Sequence, residues 1–153
     1  MKAIESFLSE DVISRSIIEP THFDRLGHVL KLETFTFNDN QVSVNCHRFF
    51  QAGMDAHQLG KTLAGVQNRR QESQGKLPDK IYRGYIESTI EKIHNIQISD
   101  MYLKVEHHPS YDNYAHCHIH LKIPDNSKPI KAIKIMIGQK LLETFSSLNS
   151  CDN

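Results

Sequence analysis

The sequence predicts a single α+β domain, an antiparallel sheet of two or more hairpins packed against two or three helices. Three observations carry that expectation. Segments 101–107 and 115–123 alternate apolar and polar residues at the strand period, with a short loop containing Pro109 between them. Segments 54–71 and 130–147 instead space their apolar residues three and four apart, the helical period. No repeat, low-complexity tract or composition break divides the 153 residues, and one hydrophobic core can serve that length.

Taken in order, residues 2–9 read as a short helix with Ile4, Phe7 and Leu8 on one side. Segment 28–37, rich in Thr, Phe and Leu, reads as a strand, and Asn38-Asp39-Asn40 is a turn signal. The following strand, 42–47, places Val42, Val44 and Cys46 on one face and Ser43, Asn45 and His47 on the other, so the pair reads as an N-terminal hairpin. Leu59, Leu63 and Val66 at i, i+4 and i+7 make 54–71 a helix, and the polar stretch 71–79 with Gly75 and Pro78 a loop. Tyr82, Ile86, Ile90 and Ile93 give 80–94 a helical stripe. Strand 101–107, loop 109–114 and strand 115–123 follow, then a connector in which Ser127 is a helix N-cap. Ile130, Ile133, Ile137, Leu141 and Phe145 fall at helical intervals over 130–147, although the Ile-rich start also fits a strand.

Composition narrows the function classes. Lys plus Arg and Asp plus Glu are 18 each, so no global field draws the protein to nucleic acid or membrane, and only a local basic patch stays open. No run approaches the roughly 20 apolar residues that span a bilayer, and the N-terminus lacks a basic region followed by an apolar one. The three cysteines are odd in number and show no CxxC spacing, which points to the cytoplasm rather than a disulfide framework.

Five of the ten histidines crowd into 107–120. In His116-Cys117-His118-Ile119-His120 the three imidazoles project to one side of a strand, with Lys122 continuing the row. Cys117, Ile119, Leu121 and Ile123 form an apolar row opposite, which suits a core. A symmetric hairpin pairs Glu106 with His118, Lys104 with His120 and His108 with His116, and a one-residue slip would turn the apolar rows outward. One face then carries Tyr102, Lys104, Glu106 and His108 beside His116, His118, His120 and Lys122, with Asp112 at the loop tip.

That set supports three chemistries. His116, His118 and His120 can hold zinc or another divalent metal, with Glu106 or Asp112 as a further ligand or base. A metal-free route needs one neutral and one protonated imidazole plus Lys122 or Lys104 for the developing charge, and adjacent histidines split their titrations. The third route is nucleophilic attack by an imidazole on phosphorus. Against all three stands a plain polar sheet face. His47-Arg48 closes the first hairpin and reads as a strand end, His22, His28, His57 and His94 as surface residues, and Arg69-Arg70 as a helix terminus.

The leading expectation is phosphoester chemistry on a nucleotide or nucleic-acid substrate. His116, His118 and Glu106 are its catalytic residues, and His120, Lys122, Lys104 and His108 its substrate contacts. The alternatives are a zinc-binding protein or a non-catalytic subunit whose Ile-rich 130–145 segment buries itself in a protein partner or a homodimer.

Residues 116–122 also resemble the His-x-His-x-His signature of histidine-triad nucleotide hydrolases and transferases, and the order helix 80–94, strand, loop, histidine strand is similar to that fold. The resemblance implies that His118 attacks an α-phosphate while His116 and His120 hold the phosphate and leaving group. The chain departs from the pattern at Lys122, where the motif is usually apolar, and in an upstream loop without the family's Asn, Gly and Ser/Thr phosphate contacts. His118-Ile119-His120 resembles, in turn, the His-hydrophobic-His pair of HUH endonucleases, which nick single-stranded DNA. That likeness implies a divalent metal on His118 and His120, Glu106 as a third ligand, and Tyr82 or Tyr85 as nucleophile, since no tyrosine follows Tyr114.

Overall fold

A computed structural model describes residues 6–24, 26, 29–124 and 131–151. Its strands are β1 (Val12–Glu19), β2 (Phe23–Asp24), β3 (Val29–Leu30), β4 (Gln41–Cys46), β5 (Ile81–Thr89), β6 (Gln97–Ile98), β7 (Met101–His107), β8 (His116–Lys122) and β9 (Asn149–Ser150). Three helices accompany them: α1 (Ala56–Ser73), α2 (Ile90–His94) and α3 (Lys131–Thr144). Seven strands make one antiparallel sheet in the order β6-β7-β8-β4-β1-β5-β9, and β2 and β3 form a separate ribbon. The α+β class expected from the sequence is the class observed.

Alternation decides which face of the sheet is dry. Val42, Val44 and Cys46 of β4, Leu103 and Val105 of β7, and Cys117, Ile119 and Leu121 of β8 all point to one side and are buried. There they join Ile13, Ile17, Phe35, Phe37, Ile86, Ile90, Ile93, Ile137, Leu141 and Phe145 in the main core, under α2 and α3. Each such aliphatic side chain contributes on the order of 1.5–3 kcal/mol by leaving water. α1 packs on the opposite face over β1 and β5, where Ile18, Ala64 and Tyr82 form a smaller cluster. A β-bulge between Ile17 and Ile18 lets consecutive isoleucines serve the two cores. Asp55 starts α1 with a capping box, its carboxylate accepting from the Gln58 N–H while the Gln58 side chain accepts from the Asp55 N–H.

Both sheet edges are covered. β9 pairs with Gly84 and Tyr85, and the N–H groups of Ser146 and Cys151 donate to the carbonyls of Glu87 and Arg83, extending the cover along β5. At the other edge β6 pairs with Met101 and Tyr102, and the Val105 N–H donates to His94 Nε2 at 3.1 Å.

Several elements differ from expectation. Segment 80–94 is strand β5 followed by the short α2, not one helix. Tyr82, Ile86 and Ile90 are four apart, an interval that satisfies both periods, and pairing along all of β1 selects the strand. Of segment 28–37, the described residues 29–37 contain only the two-residue β3 and a 3₁₀ turn, Leu32–Thr34, after which Phe35 and Phe37 enter the core. β4 therefore pairs with β1 and β8, and the N-terminal hairpin does not form. The turn after it does: Asp39 and Asn40 have φ of 51° and 61°, and Asn38 and Gln41 exchange two backbone hydrogen bonds of 3.0 Å. β1 had no counterpart in the sequence reading. Residues 2–5 of the expected N-terminal helix, together with His28, Ser127 and Ile130, lie outside the described residues, while 6–9 are not helical. Over 131–144 the chain is a helix. Among the described residues no helix is long and apolar enough to cross a membrane.

Candidate functional site

Strands β7, β8 and β4 lie side by side, and their pairing arranges the polar face as a lattice. Lys104 is opposite His120, which is opposite Gln41; Glu106 is opposite His118, which is opposite Ser43; and His116 is opposite Asn45. The His108 N–H donates to the His116 carbonyl at 2.9 Å, bringing His108 beside that row. The register expected for the β7–β8 hairpin is the observed one. This face is kept out of the core because the intervening residues, Val105, Cys117, Ile119 and Val44, already fill the other side.

The side chains then meet along diagonals rather than straight across, as reach and sheet twist allow. Glu106 contacts His120, its Oε1 accepting from Nδ1 at 3.0 Å, and it also receives Lys122 Nζ at 2.9 Å. The His108 ring lies over His118 with centroids 4.5 Å apart, and His116 meets His118 edge-on at 4.7 Å. Ser43 Oγ is 3.2 Å from His116 Nε2. The other nitrogen of His116, Nδ1, donates to the His108 carbonyl at 2.7 Å. A backbone carbonyl only accepts, so the proton of neutral His116 sits on Nδ1 and the Nε2 lone pair faces the Ser43 hydroxyl.

Electrostatics divide these groups. Burial, reinforced by His116, His108 and His120, pushes the His118 pKa down to about 4. Burial also lowers that of His116, partly offset by the bond to the His108 carbonyl. Hydrogen bonding from Lys122, and then from His120, holds the Glu106 carboxyl below its ordinary value despite some desolvation. At neutral pH His116 and His118 are thus neutral, while further along the row Lys122 and His120 converge on Glu106.

Ring nitrogens of His108, His116 and His118 lie within 4.8 Å of one another, the group among the described residues that could share a metal ion. Of the three histidines expected as ligands, His116 and His118 belong to this group, while His120 turns Nδ1 to Glu106. Asp112 is exposed at the loop tip and accepts from Ser110 Oγ at 3.1 Å.

A groove of about 240 Å³ with mixed lining opens beside His116, with Ser16, Ser43, Asn45, Gln67 and Asn113 among its polar residues and Ile18, Val44 and Leu63 among its apolar ones. The Asn113 Nδ2 group donates to Asn45 Oδ1 at 2.8 Å, tying the hairpin loop to β4. Ser43, Asn45, Gln67 and Asn113 were not among the expected site residues. Only the outward position of Ser43 and Asn45 on β4 was visible in the sequence. His22, expected on the surface, is buried at the end of this groove. Its Nδ1 accepts from the Ile18 N–H, and burial, with Arg15, Lys80 and Lys31 nearby, pushes its pKa down to about 3.

Other candidates lie apart. His107 faces the dry side, stacked on Phe49 at 4.7 Å, and burial raises the Cys117 thiol to about 12, so Cys117 is a packing residue. His47 is half-buried against Phe50, His57 Nδ1 meets Tyr82 Oη at 2.9 Å, and His94 accepts from the β7 edge. His57 is thus half-buried, while His94 is exposed, as expected, with its Nε2 bonded to the Val105 N–H. Arg48 pairs with Asp11 rather than with the histidines. Tyr82 and Tyr85 are on β5, three strand spacings from β8, about 14 Å. A larger cavity, about 490 Å³, lies between the 3₁₀ turn and α3, lined by Leu32, Phe35, Phe37, Lys131 and Ile135, with no histidine among its described lining residues.

No family model, curated protein or solved structure matches this chain.

Proposed function

We propose that the protein hydrolyses or transfers a phosphoester of a nucleotide or nucleic acid on the histidine face of β7 and β8. One observation carries the reading: His116 and His118 are in edge contact, both held neutral at pH 7, in the strand row that His120 and Lys122, the two partners of Glu106, continue. In this scheme His118 takes a proton from the attacking water or alcohol as its oxygen bonds to phosphorus. The ester P–O bond breaks, and the imidazolium returns that proton to the leaving oxygen. Lys122, Lys104 and His120 contact the phosphate oxygens. The histidine-triad likeness assigns His118 a direct attack on phosphorus instead, from the same position. The three free cysteines suit a reducing cytoplasm.

The test is a hydrolysis screen of untagged protein on nucleoside polyphosphates, single-stranded DNA and RNA, and an activated phosphodiester. Loss of a general base predicts a fall of roughly 10²–10⁴-fold in His118→Ala. A wild type that cleaves none of these, or a variant as active as wild type, defeats the proposal. A second reading, a non-catalytic binding module, draws on the exposed Leu32, Ile135 and Met136 near the larger cavity. It predicts a mass above the monomer in size exclusion, or a protein retained in a pull-down, with His118→Ala indifferent.

A further inference from the structure

We propose that His108, His116 and His118 bind one divalent zinc-type cation, with water completing the coordination. The inference rests on the reading of this face as a phosphoester site and names what would activate water there. It differs from the ligand set His118, His120 and Glu106 that the HUH likeness implies.

Four observations point to it. The three ring nitrogens already lie within 4.8 Å of one another. Tetrahedral zinc with Zn–N near 2.1 Å needs them about 3.4 Å apart, a contraction that small ring rotations supply. Second, His116 is held as a metal-ligating histidine usually is: Nδ1–H donates to a backbone carbonyl, which leaves Nε2, now facing the Ser43 hydroxyl, as the ligand atom once that hydroxyl turns aside. Third, the rings of His108 and His118 make no hydrogen bond to protein among the described residues, although they stack 4.5 Å apart. Polar nitrogens gathered without partners gain most from a shared cation. Fourth, the frame is stiff. His116 and His118 sit within β8, paired on both sides, and His108 is tied to His116 through its own N–H.

Three imidazoles from the protein and one water form the donor set of a hydrolytic zinc centre rather than of a closed structural site. His108 is exposed, so the water position opens to solvent. Ser43 Oγ, 3.2 Å from His116 Nε2, is placed to accept a hydrogen bond from that water. His120 stays outside the set because its ring is not among those whose nitrogens lie within 4.8 Å of one another; its Nδ1 turns away to Glu106. With the cation bound, His118 would be a ligand in place of its role as proton acceptor in the metal-free scheme; the metal-bound hydroxide, its proton having passed to solvent or to His120, would attack phosphorus as the ester P–O bond breaks, and the leaving oxygen would take a proton from water.

The experiment titrates the untagged, chelator-treated chain with Zn²⁺ alone by calorimetry, with metal content after gel filtration as a second readout. One zinc per chain is expected. His108→Ala and His118→Ala should each weaken binding by more than about 100-fold, because loss of a ligand exceeds the loss caused by its outer partners. His120→Ala should bind as wild type does. His108 is exposed and outside the strand pairs, so His108→Ala keeps the fold and remains informative if His118→Ala does not. Absence of stoichiometric zinc overturns the inference, as does binding lost in His120→Ala but kept in His108→Ala. Hydrolysis that survives full chelation also removes the metal while leaving the phosphoester reading intact. Zinc bound as expected, with no phosphoester cleaved, removes the reading and leaves the metal site.

Discussion

Acid should weaken this fold through His22, a residue outside the catalytic proposal. In the native state its pKa is about 3, and in an unfolded chain it returns to the ordinary histidine value of 6.5. Between those values the unfolded state carries one more proton than the folded state, so stability rises with pH across the window and falls as acid is added. Above pH 6.5 the stabilisation is fully present; it is lost progressively toward pH 3. Lowering the pH from 7 to 4.5 through these two pKa values costs about 2.5 kcal/mol from this residue alone. For a chain of this size that corresponds to a melting temperature lower by roughly 5–10 °C. The cause is local: the imidazole is buried against the Arg15 guanidinium, whose Nη2 is 3.3 Å from Nε2, and its Nδ1 accepts from the Ile18 N–H. A proton on Nδ1 would remove that acceptor and set two cations together. The assay is urea unfolding at several pH values of wild type and His22→Asn, whose amide oxygen can still accept from Ile18. Other histidines titrate alike in both proteins and cancel in the difference. The advantage of wild type over the variant should shrink by about 2 kcal/mol from pH 7 to 4.5. Parallel stability curves would mean that His22 is not held neutral by burial, and the reasoning would fail.

Three further outcomes test the packing and the site. Ile119→Ala, at a fully buried position of β8, should cost about 2–5 kcal/mol in chemical denaturation. Two helical glycines should behave oppositely. Gly65→Ala meets only the end of Arg69 and should stabilise by about 0.5–1 kcal/mol, whereas Gly138→Ala drives a methyl into the Phe35 carbonyl and should destabilise by about 1–3 kcal/mol. Nitrogen-15 NMR of the metal-free protein at pH 7 should find His116 as the Nδ1–H tautomer; an Nε2–H signal would contradict the bond to the His108 carbonyl.

The β7–β8 hairpin was legible because both of its rows are unambiguous. Apolar Leu103, Val105, Cys117, Ile119 and Leu121 admit one register, and the polar row follows from it. The contacts within that row were less legible. Glu106 was placed opposite His118 and is, yet its carboxylate reaches diagonally to His120, a consequence of side-chain reach that residue order does not encode. β1 escaped notice because its bulge buries Ile17 and Ile18 in succession and because Arg15 interrupts the apolar row. β5 is ambiguous in the sequence because apolar residues four apart fit either period. The burial of His22 is not legible because it depends on Arg15 and Thr34, neither of them its neighbour in sequence. The groove amides Asn45 and Asn113 come together only across 68 residues of chain.

The closure of the sheet edges limits how this molecule can meet others. Strands β6 and β9 are two residues long, and beyond them the backbone is already engaged by the 146–151 strap and by the His94 ring. A foreign strand therefore finds almost no ladder to extend, which guards a β-rich chain against amyloid-like growth and strand exchange. Recognition is left to side chains on the open face, where the imidazoles stand. The guard at Val105 is itself an imidazole acceptor, so acid that protonates His94 would uncover one rung of that edge and invite aggregation there first.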